Sequence, residues 1–165
     1  MKKFELTSEF ITNIFGTKLF RIKALIEFGN VKAGELGGFV EKEENLNHEG
    51  NAWVYGNARV YGNASVCDDA RVYGNASVYG NARVCGDARV YGNADYATVH
   101  GFGSEYRTTT FFKTKAGEIG VRCGCFYGNL SEFRKKVVET HGETKKAKEY
   151  LMLADLMEFR FSDNS

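Results

Sequence analysis

The side chains able to do chemistry in this chain of 165 residues fall into three groups. Histidine, which is suited to proton transfer near neutrality, occurs as His48, His100 and His141. Cysteine occurs as Cys67, Cys85 and a Cys123-Gly-Cys125 pair. The third group is a regular series of aromatic and basic residues: Trp53/Tyr55, Arg59/Tyr61, Arg71/Tyr73 and Arg89/Tyr91.

Each group has a bland reading beside its chemical one. His48 falls in an apolar slot, which suits a hydrogen-bonded core imidazole better than a general base. His141 stands near the end of an expected helix, where a cation is favoured without any catalytic role. Cys123 and Cys125 fall on one face of an expected strand, and a metal there would need two more ligands in reach. We therefore expect no catalytic residue, no metal and no cofactor. Tryptophan, tyrosine and arginine are enriched in binding hot spots, and they can stack bases while meeting phosphates. Stacked tyrosines and guanidiniums can equally serve only to support one another along a sheet.

What must position these residues is a repeat. Residues 52–93 are seven uninterrupted hexapeptides of the form A-x-V-[YC]-[GD]-[ND]. Alanine and valine two apart share one face of an extended chain, so the intervening residue and the tyrosine or cysteine point the other way. Gly-Asn and its Asp variants tolerate the left-handed backbone of a tight corner. One unit then reads as a four-residue strand and a corner. Such a strand cannot bury its apolar side alone, so units must stack. If three units make one turn, Trp53/Tyr55, Arg71/Tyr73 and Arg89/Tyr91 share a face. Arg59/Tyr61 lie with Ser77/Tyr79 on a second, and Ser65/Cys67 lie with Arg83/Cys85 on the third. Cys67 and Cys85 would then be about one strand spacing (~4.8 Å) apart. That separation permits a disulfide, but a reducing cytosol would keep two thiols, which is our expectation.

The repeat resembles the hexapeptide-repeat proteins, whose left-handed parallel β-helix places a small residue two before each inward aliphatic. The left hand, contrary to the usual crossover rule, is implied by the resemblance alone. Enzymes of that class are mostly acyltransferases and carbonic anhydrases. In the former a histidine between subunits acts as general base, so His48 or His100 would carry such a reading. A carbonic-anhydrase-like zinc site would have to recruit the distant His141.

The flanks are less regular. Residues 1–26 read as a hairpin turning at Gly16-Thr17, and residues 1–33 as a cap over exposed strand edges. The hexad frame begins at Gly34 with poor matches, and Glu41, Glu43 and Glu44 mark a loop. After Asn93 the frame decays, with Tyr96 in a valine slot, and it ends by residue 103. Residues 104–165 read as a ββαα module, its hairpin formed by residues 108–114 against 118–126. Asn129 caps a first helix with Glu132 at the capping-box position, and Leu130, Phe133, Val137 and Val138 form its apolar stripe. Thr144 caps a second helix through Ala147, Tyr150, Leu151, Ala154 and Met157, widened by Leu153 and Leu156. Arg134, Lys135, Lys136, Lys145, Lys146 and Lys148 read as the wet side of both helices. The expected fold is mainly β: a short β-helix with a hairpin cap and a C-terminal ββαα module.

Hydrophobic residues make up 43% of the chain, enough for a core, and the formal net charge is +1, which excludes a strongly basic or acidic electrostatic binder. Neither a signal segment nor a long apolar run is evident, so a cytoplasmic protein without membrane contact is expected. Beyond the hexapeptide, F-R-I-K-A-L, residues 34–58 and residues 121–142 resemble small phage and prophage proteins of unknown function. That resemblance implies a non-catalytic protein acting in a bacterial host, binding and blocking a host protein such as a defence component. We expect the aromatic and basic ladder to carry the contact and the chain to form a homo-oligomer. An oligomeric sponge for a nucleotide signal and an acyltransferase-like enzyme are the alternatives, with direct nucleic-acid binding a weaker one.

Overall fold

A computed structural model describes residues 2–103 and 105–162. The chain opens with an antiparallel hairpin, β1 (Phe4–Thr12) and β2 (Lys18–Ala24), and β2 pairs antiparallel with β3 (Leu36–Val40). The turn spans residues 13–17 and so includes the expected Gly16-Thr17, with Gly16 in the left-handed region (φ 81°) and Asn13 Oδ1 accepting from the backbone N–H groups of Phe15 and Thr17.

The hexapeptides follow as β4 (Trp53–Val54), β5 (Arg59–Val60), β6 (Ser65–Val66), β7 (Arg71–Val72), β8 (Ser77–Val78), β9 (Arg83–Val84) and β10 (Arg89–Val90). Each paired strand is two residues long rather than four. The corners use the rest, since the N–H of Ala58 donates to Tyr55 O (3.1 Å) and that of Ala70 to Cys67 O (3.2 Å). Each of β4 to β7 pairs in parallel with the unit three places on, and β3 pairs with β5, giving three ladders: β4–β7–β10, β3–β5–β8 and β6–β9. All seven repeat alanines and all seven valines are at most 1% exposed, so the inward assignment holds for every unit. At the Asp68-Asp69 corner a non-glycine residue takes the left-handed backbone (Asp68 φ 59°) that glycine supplies at its equivalents, for example Gly56.

The cap continues one ladder: because β2 pairs with β3, and β3 runs parallel to β5, the hairpin adds two strands to that ladder beyond β3. Phe4, Ile22 and Ala24 join the repeat's own core. Asn45, in a short 3-10 turn over Glu43–Asn45, is fully buried and donates to Gly62 O (3.2 Å) and Ala64 O (2.8 Å). Its amide pairs corner carbonyls that would otherwise lose hydration.

The C-terminal module contains four strands rather than two: β11 (Tyr96–Phe102), β12 (Arg107–Lys113), β13 (Ile119–Cys123) and β14 (Phe126–Asn129), paired antiparallel in that order. Alternation along β12 sends neighbouring rings opposite ways. Phe112 joins Tyr96 in the repeat core, while Phe111 packs beneath the helices. Helices α1 (Leu130–His141) and α2 (Lys145–Arg160) cover the other side of the sheet. Asn129 and Glu132 form the expected capping box, and Thr144 Oγ1 accepts from the N–H of Ala147. Val138 and Leu156, placed in the buried stripes by the sequence reading, are instead exposed. The buried positions of α1 and α2 are Leu130, Phe133 and Val137, and Ala147, Tyr150, Ala154 and Met157. No helix among the described residues is long and apolar enough to cross a membrane.

Candidate binding surfaces

The expected register of the first face is present. Trp53 pairs beside Arg71 and Arg71 beside Arg89. One residue pair further on, Tyr55, Tyr73 and Tyr91 form a continuous stack, with ring centroids 4.6 Å apart at both steps and interplanar angles of 15° and 6°. The guanidiniums are tied down beside it. Arg71 donates to Tyr73 Oη (3.3 Å) and Asn30 Oδ1 (3.1 Å), and Arg89 donates to the carbonyls of Asp69 (2.8 Å) and Ala88 (2.9 Å). Burial pushes the Tyr55 hydroxyl up, and the Tyr73 hydrogen bond holds Arg71 the more firmly charged. Accessibility rises along the stack, from half-buried Tyr55 and Tyr73 to Tyr91 at 61% exposed.

Trp53 departs from the sequence reading. It is fully buried and takes no part in an exposed face. Phe4 and Phe28 meet it edge-on at 6.3 and 5.3 Å, so the cap covers the first outward position of this ladder. Lys3 completes that cover. Its Nζ donates to Gly50 O (3.3 Å) and Ala52 O (2.8 Å) and lies 4.6 Å from the Phe28 ring centroid, and burial pushes its pKa down to about 8. Neither Lys3 nor Asn45 carried a sequence signal, because their partners are backbone carbonyls far along the chain.

On the second face Tyr61 stacks on Tyr79 at 5.3 Å and 10°. Arg59 lines a groove of about 550 Å³ with Arg21, Phe39, Asn57, Asn75 and Ser77. On the third face Cys67 and Cys85 are joined in a disulfide across adjacent rungs, with Cα atoms 4.7 Å apart, which corrects the expectation of two thiols. Parallel pairing in register sets the two side chains side by side on adjacent rungs, within bonding reach. Asp68 stands close by, its Oδ2 accepting from the Gly86 N–H (2.9 Å). Its oxygen and the two sulfurs lie within 4.8 Å of one another, but both sulfurs are engaged in the cross-link.

The histidines are dispersed. His48 stacks on Phe4 (4.3 Å, 14°), and its Nδ1 accepts from the Lys3 N–H (3.0 Å), as a packed imidazole would. Burial lowers its pKa. His100 lies exposed on β11, with its Nδ1 3.0 Å from Thr108 Oγ1.

His141 ends α1 and lines a cavity of about 290 Å³ in the C-terminal module, together with Cys123, Cys125, Phe126, Phe133 and Tyr150. Cys123 and Cys125 do not share a strand face: Cys123 ends β13, and exposed Cys125 sits in the tight turn before β14. The basic helix residues are on the wet side as expected, with Arg134 bridged to Asp155 (2.9 Å) and Glu158 (3.2 Å).

Comparison with known proteins bears on the repeat. The family model described as YdcK Beta solenoid repeat matches residues 52–68, 64–86 and 82–94. No curated protein matches the chain. The matched segments coincide with β4 through β10, so the centre of this chain is a β-solenoid repeat within a mainly β protein that ends in a helical pair.

Proposed function

We propose that the protein is a non-catalytic interaction scaffold, a short left-handed parallel β-helix that docks a partner protein on the Tyr55–Tyr73–Tyr91 stack and its flanking Arg71 and Arg89. One observation carries this reading: the rings are parallel at 4.6 Å and the guanidiniums beside them are already fixed by protein oxygens. A surface ordered on folding loses little side-chain entropy on binding, and the favoured residues of protein interfaces are collected there. The resemblance to phage proteins supports a partner inside a bacterial host, such as a component of a defence system. Self-association belongs to the same reading, because Met152, Leu156 and Phe159 recur at helical spacing on α2 and are 70%, 53% and 78% exposed.

The experiment is capture from host lysate with the natural chain and with a variant carrying Arg71→Ala, Tyr73→Ala, Arg89→Ala and Tyr91→Ala. The identified partner is then titrated against both. Loss of at least tenfold in affinity with an unchanged circular dichroism spectrum is expected, since two or more hot spots are removed at ~2 kcal/mol each. Undiminished binding by the variant removes this face from the account. A captured nucleic acid, with affinity falling steeply in salt, would replace the protein partner. Sedimentation at two concentrations reads self-association separately.

A further inference from the structure

The cavity of the C-terminal module has no part in the scaffold reading, and its lining is chemically divided. Phe102, Phe126, Phe133 and Val137 give it apolar walls. The polar atoms at its inner end are matched to one another: the Tyr150 hydroxyl donates to Phe102 O (3.2 Å) and lies 3.8 Å from Cys123 Sγ, which accepts from Thr109 Oγ1 (3.2 Å). Burial pushes the Tyr150 hydroxyl well up, so it stays a neutral donor. A ligand entering there meets no unpaired inner group and needs an apolar body.

Elsewhere the lining carries Arg107 from β12, and Lys136 and His141 from the middle and the C-terminal end of α1. The Arg107 guanidinium lies over Gly124, where an added Cβ would collide with its Nη1. Among the described residues neither Arg107 nor Lys136 forms an ion pair. Glu105, the one carboxylate of the lining, bridges to neither. Arg134, one turn from Val138 on the same helix, shows the contrast: it is satisfied by two carboxylates.

We propose that this cavity binds a small apolar carboxylate, with its hydrocarbon part among Phe126, Phe133 and Val137 and its anionic end held by Arg107 and Lys136. About 290 Å³ admits a medium-chain or arylalkyl acid. Two cations that share one mouth and lack protein counter-charges select an anion over a neutral molecule of the same shape.

Cys123 gives the test a direct readout. In a Cys125→Ser chain it is the free thiol, since Cys67 and Cys85 are cross-linked. Its alkylation by iodoacetamide is followed with octanoate, 1-octanol or inorganic phosphate present. Octanoate is expected to slow alkylation at least fivefold at saturation, and the other two to leave the rate unchanged. The charges are then removed with Arg107→Gln and Lys136→Gln, with folding checked by thermal melting. The octanoate concentration needed for half-protection should rise by about tenfold or more, as expected for loss of charge-assisted hydrogen bonds. If that pair unfolds, Lys136→Gln alone supplies the comparison from an exposed helix position. Equal protection by 1-octanol, no protection by octanoate, or protection unaltered in the charge variants each overturns the proposal.

Discussion

The repeat and the C-terminal module fill their interiors in opposite ways. In the repeat, alanine and valine alternate through three parallel ladders, and every one of them is excluded from water. Small side chains on a lattice of fixed spacing pack closely, so such a body presents its chemistry on its outside. In the module the interior is aromatic. Phe133 meets Phe111 and Tyr150 edge-on at 5.9 and 5.6 Å, and the rings come from a sheet and two helices crossing it. Large rings at changing angles do not tile, and a cavity remains. Regular packing thus leaves the repeat's concavities, such as the Arg59 groove, on its outside, while irregular packing leaves one between the module's sheet and helices.

A buried carboxylate should separate the two most strongly. Val72→Asp places a charge in the middle of the valine column, with no route to water, and should cost about 4 kcal/mol or more in urea unfolding. Val137→Asp should cost roughly half as much, because its side chain borders the cavity beside Lys136 and can reach a cation. Equal costs would mean that the module is packed as tightly as the repeat.

Reduction tests the repeat alone. The Cys67–Cys85 link closes a loop of 18 residues, so dithiothreitol should lower stability by about 3 kcal/mol in the chain-entropy account. An unchanged urea midpoint would show that stacking of the rungs already supplies the constraint.

The smallest effect concerns the junction. Tyr96 belongs to both regions, its ring in the repeat core and its strand in the module's sheet, and its hydroxyl donates to Ser77 O at 2.6 Å. Burial raises its pKa from 10.0 to about 12. The folded form therefore holds the phenolic proton more tightly than the unfolded chain. The associated stability is complete below pH 10 and is lost as pH rises through 12. Tyr96→Phe should cost about 1 kcal/mol at neutral pH and flatten the decline above pH 10. A decline of the same slope in the variant would assign it to the other tyrosines.

Much of this was legible in the chain. Seven repeats of Ala-x-Val fixed which residues face inward, and the three-unit stacking of tyrosines followed from the period. Both helix N-caps could be read because a cap bonds within four residues of itself. The module's two outer strands could not. Tyr96–Phe102 looked like decaying repeat, and residues 118–126 read as one strand running up to the Asn129 cap, so the turn that separates β13 from β14 was not seen.

Of the candidate contact surface, spacing determined the column but not its cover. Trp53 occupies an outward slot, as the period requires, and is buried because Phe4 and Phe28 arrive from the N-terminal cap. The period already placed Cys67 beside Cys85, whereas the cavity around Tyr150 depends on segments far apart in the chain. Local periodicity sets the direction of a side chain relative to its own backbone. What stands in front of it is decided by long-range packing, and so by the tertiary structure alone.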